Sequence, residues 1–307
     1  MRLLLLGAVF ALSMHAATHY ITIAGLGGEP DYDQRFTGWA QTIDQVLRTS
    51  RTDARIETLT GANATRDRIR EVLEKAAQDC GPGDAIALML IGHGTFDGED
   101  YKLALPGPDI TATELATLLN KNRASRQLVV NMTTSSGASL AAFRKEGRIV
   151  ITATKSGTEK NATVFPRYWA EALRDPAADT DKNETVTALE AYRYAALKTT
   201  AFYESQKRIA TEHPLLEDTG KGEGVRDPKP EEGQGRLAAA FTLLRFGAAQ
   251  AAAKDPAKQK LLARKEQVEQ QIDQLKYEKA AMDATQYKRE LAKLLLELAR
   301  LQEEIDK

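Results

Sequence analysis

Short apolar segments alternate with amphipathic ones over the first two thirds of the chain. The segments rich in β-branched and apolar residues predict five β-strands, at Tyr20–Ala24, Arg55–Leu59, Asp84–Gly92, Gln127–Met132 and Arg148–Ala153. Helical periodicity marks the segments between and after them, near Asp33–Leu47, Arg66–Gln78, Thr113–Leu119, Ala138–Arg144, Phe165–Leu173 and Ala188–Gln206. The third strand, DAIALMLIG, is apolar throughout, which is typical of a central strand buried on both faces.

This alternation predicts an α/β fold, with a mostly parallel sheet covered by helices on both faces. In such sheets ligands bind beyond the carboxyl ends of the strands. We therefore expect the functional residues in the turns that follow four of the strands, at 25–28, 92–95, 133–137 and 154–157.

The last third of the chain has a different pattern. Residues 218–235 are rich in Gly, Pro and charge, which predicts a flexible loop or linker after a domain spanning 18–217. Beyond it, apolar residues recur at heptad spacing on both sides of a break near Met282–Thr285, which predicts a coiled-coil-like helical hairpin within 236–307. We expect residues 258–307 to bind a partner protein, to self-associate, or to fold back on the domain as a cap.

The first 17 residues carry Arg2 and an unbroken apolar run from Leu3 to Leu12, followed by small and polar residues. This pattern predicts a secretory signal peptide and a secreted or periplasmic protein. Met14 and His15 fit the cleavage rule poorly, so a retained membrane anchor is the alternative. A net charge of -1 without a basic stripe argues against a nucleic-acid partner. With Cys80 as the only cysteine, no internal disulfide can form.

Two turns at the predicted carboxyl edge carry candidate chemistry. His93 follows the buried third strand between two glycines, where it is either a general base or a structural histidine. The N–H of Gly94 beside it is of the kind that forms an oxyanion hole. After the fourth strand, Thr133–Gly137 is a turn of small hydroxyl residues, which is either a nucleophile or anion site or a helix N-cap.

These motifs resemble the caspase-like (clan CD) cysteine peptidases, and the legumain-type branch most closely. The shared features are Ile-Gly-His-Gly at 91–94 and a second apolar strand that runs into Ser136-Gly137. The resemblance covers about residues 20–208 and implies a substrate cleft for a peptide, with His93 as general base and Gly94 as oxyanion donor. In that superfamily the histidine lies roughly 50 residues before a nucleophilic cysteine.

The nucleophilic cysteine is absent. Thr134 stands in its place, 134 − 93 = 41 residues after the histidine. Cys80 is no substitute, because the third strand separates it from His93 by on the order of 30 Å. Two hypotheses follow: a caspase-like pseudoenzyme that acts in binding or scaffolding, or an active peptidase or esterase that uses Ser135 or Thr134 with His93.

A third motif is independent of the first two. Residues 179–190 have oxygen ligands at the spacing of the twelve-residue EF-hand loop, which predicts weak Ca²⁺ binding; they are Asp179, Asp181, Asn183, Thr185, Thr187 and Glu190. Position 6 of the loop is Glu184, where glycine normally allows the positive φ of a sharp turn. The alternative is a loop that keeps this shape without the ion.

The remaining histidines show no pattern of a metal site. His213 is expected to anchor a loop, and His19 to be incidental. At these sequence separations, the three histidines of the expected mature chain and Cys80 do not predict a zinc site.

Overall fold

The computed structural model describes residues 17–51 and 54–307, so the expected signal peptide lies outside the described residues except for Ala17. The strands are β1 Thr18–Ala24, β2 Ala54–Leu59, β3 Ala85–Ile91, β4 Gly94–Phe96, β5 Tyr101–Leu103, β6 Ile110–Thr111, β7 Arg126–Asn131, β8 Arg148–Thr152, β9 Thr185–Thr187, β10 Leu215–Glu217 and β11 Thr242–Arg245. The α-helices are α1 Pro30–Ser50, α2 Arg66–Asp79, α3 Ala112–Asn120, α4 Leu140–Phe143, α5 Phe165–Ala172, α6 Ala188–Ser205, α7 Arg236–Ala239, α8 Gly247–Lys254, α9 Gln259–Glu278 and α10 Ala284–Asp306.

The main sheet has six strands in the order β10-β8-β7-β3-β1-β2. All neighbours pair in parallel except β10, which is antiparallel to β8. Because β1 lies between β2 and β3, the chain reverses its direction of winding there. The carboxyl ends of β1 and β3 therefore form a topological switch point, where doubly wound sheets bind ligands.

Two apolar layers cover the sheet. In β3, Ala85, Ala87, Met89 and Ile91 face the layer that contains α1, α5 and α6. Ile86, Leu88 and Leu90 face the opposite layer, with α2 and α3. This alternation is why the whole strand is apolar, and the predicted α/β class with helices on both faces is confirmed.

Two smaller sheets accompany the main sheet. Directly after β3, the segments β4, β5 and β6 form an antiparallel sheet. Strand β9 pairs with β11, which places part of the 179–190 loop beside residues 242–245. Residues 218–235 have little regular structure, yet Asp218 ties their ends together by accepting hydrogen bonds from the N–H groups of Gly235 and Leu237, at 2.7 and 2.8 Å.

The helical hairpin begins later than residue 236. Helices α9 and α10 form it, with Val268, Ile272 and Leu301 buried between them. Residues 236–245 instead join the α/β core, because Phe241 and Leu244 are buried with it. The sequence did not show this boundary, because the apolar residues of 242–245 lie in a strand of four residues, which is too short to show a clear period. No helix of the described residues is long and apolar enough to cross a bilayer.

Candidate functional site

The carboxyl ends of β3 and β7 are joined through Gly94 and Thr134. The N–H of Gly94 donates to the Thr134 hydroxyl at 2.8 Å, and that hydroxyl donates to the carbonyl of Gly94 at 2.6 Å. Thr134 is 3% exposed. The hydroxyl therefore occupies both backbone groups of the residue that the sequence suggested as an oxyanion donor.

Close packing explains the glycine at position 94. A Cβ on Gly94 would lie 2.4 Å from Cε2 of Tyr101 and 2.5 Å from the carbonyl oxygen of Thr134. Tyr101 is itself buried, and its hydroxyl bonds Thr133 at 2.5 Å. Tyr101 and Thr134 therefore fill the space beside the backbone of Gly94, where a substrate would otherwise lie.

The ring of His93 points toward helix α1. It packs edge-on against Tyr32 and Phe36, with ring centroids 4.8 and 5.1 Å away. Burial lowers the pKa of His93, while the backbone of Gly27 opposes this shift. Within residues 17–51 and 54–307, His93 forms no hydrogen bond with Thr134 or Ser135. The structure thus brings Gly94 and Thr134 together and leaves the imidazole outside their contact.

Ser135, at the same edge of the sheet, has a strained backbone. Its φ is 55°, in the left-handed region that non-glycine residues seldom adopt. Its side chain is fully buried, and its Oγ has no hydrogen-bond partner in the described part of the chain. Such strain costs on the order of 1–3 kcal/mol and is concentrated at functional sites.

A second layer of polar contacts supports this turn. The Ser135 N–H donates to the carbonyl of Glu159 at 2.8 Å. The Glu159 carboxylate in turn bonds Nδ1 of His213, so His213 anchors a loop, as expected. Its neighbour Glu212 accepts from the N–H groups that open α5, and burial raises its pKa to about 7. Sequence patterns gave no signal for Glu159 or Glu212, because both act through contacts across the fold.

The EF-hand-like loop brings three carboxylates together. One oxygen atom from each of Asp179, Asp181 and Glu190 lies within 4.8 Å of the other two. Desolvation and the charges of Glu190 and Asp179 raise the pKa of Asp181 to about 6. Charge repulsion of this kind is relieved by a cation.

Backbone and hydroxyl donors orient these ligands. Glu190, at loop position 12, accepts through Oε1 from Thr180 and through Oε2 from the N–H and hydroxyl of Thr187, at 2.8–3.0 Å. Thr187 and Glu190 also form the capping box that opens α6. Asn183 directs its Oδ1 to Thr185, with a hydroxyl contact of 2.6 Å. The loop is therefore preformed by its own hydrogen bonds.

Glu184 holds the position that is normally glycine. Its φ is 68°, so the backbone keeps the turn in spite of the side chain. The carboxylate reaches out of the loop and accepts from the N–H of Ala249 at 2.9 Å, in the first turn of α8. Its carbonyl accepts from Phe246 at 2.8 Å. A helix cap gives a physical reason for a glutamate here.

No protein-family model matches this chain, and no curated protein matches its sequence. Among solved structures, it is similar to the protein GSU0716 from Geobacter sulfurreducens, with 13% identity and a TM-score of 0.44 over 71% of this chain and 96% of that one. It is also similar to the Drosophila initiator caspase Dronc, with 8% identity and a TM-score of 0.43 over 68% of this chain and 82% of that one.

Proposed function

We propose that the chain is a non-catalytic, caspase/legumain-like domain that binds Ca²⁺ and acts in binding or scaffolding. The motif order at 91–94 and 134–137 carries the family resemblance. The contact between Thr134 and Gly94 carries the non-catalytic assignment. The hydroxyl at the cysteine's position is committed to the backbone groups of Gly94.

The chemistry of a cysteine peptidase needs a thiolate, an imidazole beside it and free oxyanion donors. A threonine hydroxyl has a far higher pKa than a thiol and depends wholly on a neighbouring base. His93 packs against Tyr32 and Phe36 instead. The N–H of Gly94 already has an acceptor in Thr134. None of the three requirements is met at this edge, which argues against peptide hydrolysis there.

Calcium fits the donor set of the 179–190 loop. Asp179, Asp181, Asn183 and Glu190 would hold the ion, together with the backbone carbonyl of Thr185 at position 7. A bound Ca²⁺ neutralises the clustered carboxylates. Because Glu190 opens α6 and Glu184 caps α8, the loop links these two helices. This arrangement supports a bracing role, suited to a secreted or periplasmic protein that meets abundant calcium.

The C-terminal hairpin is the proposed interaction segment. Helix α9 faces the domain through an ion pair between Arg245 and Glu266 at 2.6 Å, which supports a capping role. On α10, Leu295 and Leu296 are about half exposed, at 48% and 55%. These leucines support association with a protein partner or a second copy. Light scattering on L295E/L296E tests this, because a fall in mass indicates self-association and an unchanged mass excludes it at these positions.

Ser135 carries the alternative function. Its strained backbone is a feature of catalytic serines, although the side chain is fully buried and its Oγ has no partner within the described residues. This peptidase or esterase would use Ser135 or Thr134 as nucleophile and His93 as base, after a movement of the 133–137 turn that exposes the hydroxyl.

Activity-based probes for serine and cysteine hydrolases separate the two functions. The proposed function predicts no adduct on the full chain by intact mass. A stoichiometric adduct on Ser135 or Thr134 that disappears in His93→Ala would establish the hydrolase instead. Ser135→Ala and Thr134→Val each remove one hydroxyl and so locate the labelled residue.

A further inference from the structure

Three potential metal ligands meet at the edge of the sheet opposite to the Thr134 turn. One ligand atom from each of His19, Cys80 and Asp84 lies within 4.8 Å of the other two. All three residues are buried, at 5%, 0% and 8% exposure. This cluster belongs neither to the carboxyl edge nor to the calcium loop.

The topology explains how distant residues meet there. Strands β1 and β3 are parallel neighbours, so His19, at the start of β1, pairs in register with Ile86, at the start of β3. Cys80 is the C-cap of α2, and Asp84 directly precedes β3. The five-residue turn between α2 and β3, residues 80–84, therefore carries both ligands to the imidazole.

An unpartnered atom points to a missing ligand. Nε2 of His19 is buried and has no hydrogen-bond partner within residues 17–51 and 54–307. Leaving a buried polar atom unpaired costs about 1–3 kcal/mol, and native structures seldom do so. Burial also lowers the pKa of His19, which keeps the imidazole in the neutral form that binds metals.

Backbone N–H groups hold the carboxylate of Asp84. Asp84 accepts from the N–H groups of Ala17 and Gly81, at 2.7 and 2.8 Å, and each carboxylate oxygen keeps further lone pairs. Such orienting contacts are characteristic of metal sites. Burial raises the pKa of the Cys80 thiol, while the Asn122 side chain lowers it. A cavity of about 280 Å³, lined by Arg55 and Asp79 among others, reaches His19 of the cluster.

From this juxtaposition we propose that His19, Cys80 and Asp84 form a zinc site. Thiolate, imidazole and carboxylate together suit Zn²⁺, with three protein ligands and a fourth position for water. Metal–ligand distances of about 2.0–2.3 Å place tetrahedral ligands about 3.5 Å apart, so small side-chain rotations bring these atoms into range. Binding releases the thiol proton of Cys80 to solvent, so affinity rises with pH.

The test uses the untagged full chain, stripped of metal by a chelator and kept in saturating Ca²⁺ so that the 179–190 loop is filled. We expect one Zn²⁺ per chain, and Co²⁺ loading should give a thiolate-to-cobalt charge-transfer band. Cys80→Ser and His19→Gln should each weaken binding more than the roughly 10–100-fold that orienting partners contribute. Glu223→Gln, at an exposed position outside both sites, is the control and should bind zinc as the parent does.

X-ray absorption on the zinc-loaded parent chain does not depend on any variant folding. One sulfur in the first shell supports the site. A shell of nitrogen and oxygen alone would overturn the proposal, as would zinc binding that is absent in the folded parent or unchanged in folded Cys80→Ser.

Discussion

The Thr134 hydroxyl and the backbone of Gly94 form a reciprocal pair of hydrogen bonds, of 2.8 and 2.6 Å, between two neighbouring strand ends. Both groups are buried, so neither bond is replaced by water if it is broken. The pair fixes the turn after β7 against the start of β4. It also engages the N–H of Gly94 and the hydroxyl of Thr134, which a caspase-like hydrolase would need as oxyanion donor and nucleophile.

Thr134→Val removes this pair while keeping the shape of the side chain. The N–H and C=O of Gly94 then lose their partner, and each buried unpaired group costs about 1–3 kcal/mol. We expect the free energy of unfolding to fall by about 2–4 kcal/mol in denaturant titrations. Thr134→Ser keeps the hydroxyl and should lose about 1 kcal/mol or less. Equal stability of the valine variant and the parent would contradict the contact.

Ser135→Gly should stabilise the chain. Glycine adopts φ near 55° without strain, and the substitution removes a buried hydroxyl that has no partner within the described residues. After the greater chain entropy of glycine is subtracted, we expect a gain of about 1–2 kcal/mol. Ser135→Ala removes only the hydroxyl and should be intermediate. A less stable glycine variant would indicate that the hydroxyl has a partner in solution.

Calcium should raise the melting temperature. With a Kd of about 10⁻⁴ to 10⁻³ M, typical of extracellular sites, 10 mM Ca²⁺ adds about 1.4–2.7 kcal/mol. Asp181→Asn removes one charge from the carboxylate cluster, so it should stabilise the calcium-free chain and shrink the calcium effect. Scanning calorimetry with and without Ca²⁺ measures both. No shift in the parent chain at 10 mM Ca²⁺ would reject the site.

Glu212 predicts a pH dependence of stability. Burial raises its folded pKa from 4.5 to about 7, so the folded state favours the protonated carboxyl. Its contribution is therefore fully present below pH 4.5 and is lost as the pH rises to about 7, by at most about 3 kcal/mol. Glu212→Gln should flatten the stability profile over this interval. Glu223→Gln, at an exposed position, should leave the slope unchanged, and a profile in Glu212→Gln as steep as that of the parent would refute the assignment.

Periodicity was sufficient to predict the α/β core, because β1, β3, β7 and β8 each contain a recognisable buried apolar run. It also predicted that the turn at 133–137 lies near His93, since the ends of neighbouring parallel strands share an edge. It could not give the direction of the His93 ring, which depends on packing against Tyr32 and Phe36 of another element. The meeting of His19 with Cys80 was missed for a similar reason: it requires β1 and β3 to be neighbours.

The short strand β11 was also missed. Its four residues, Thr242–Arg245, pair with strand β9 of the 179–190 loop. The residues before them have a helical composition, which gave no sign of a strand. Tertiary pairing decides such short strands more than local preference does.

The thiol introduced by Thr134→Cys tests the central claim most directly. If His93 stays against α1 and the edge is non-catalytic, the thiol is buried without an imidazole beside it. Titration of thiolate absorbance, with the parent chain as control for Cys80, should then give a pKa at or above about 8.5. A pKa below about 7, as in paired cysteine and histidine residues, would contradict the account and show that the dyad geometry persists.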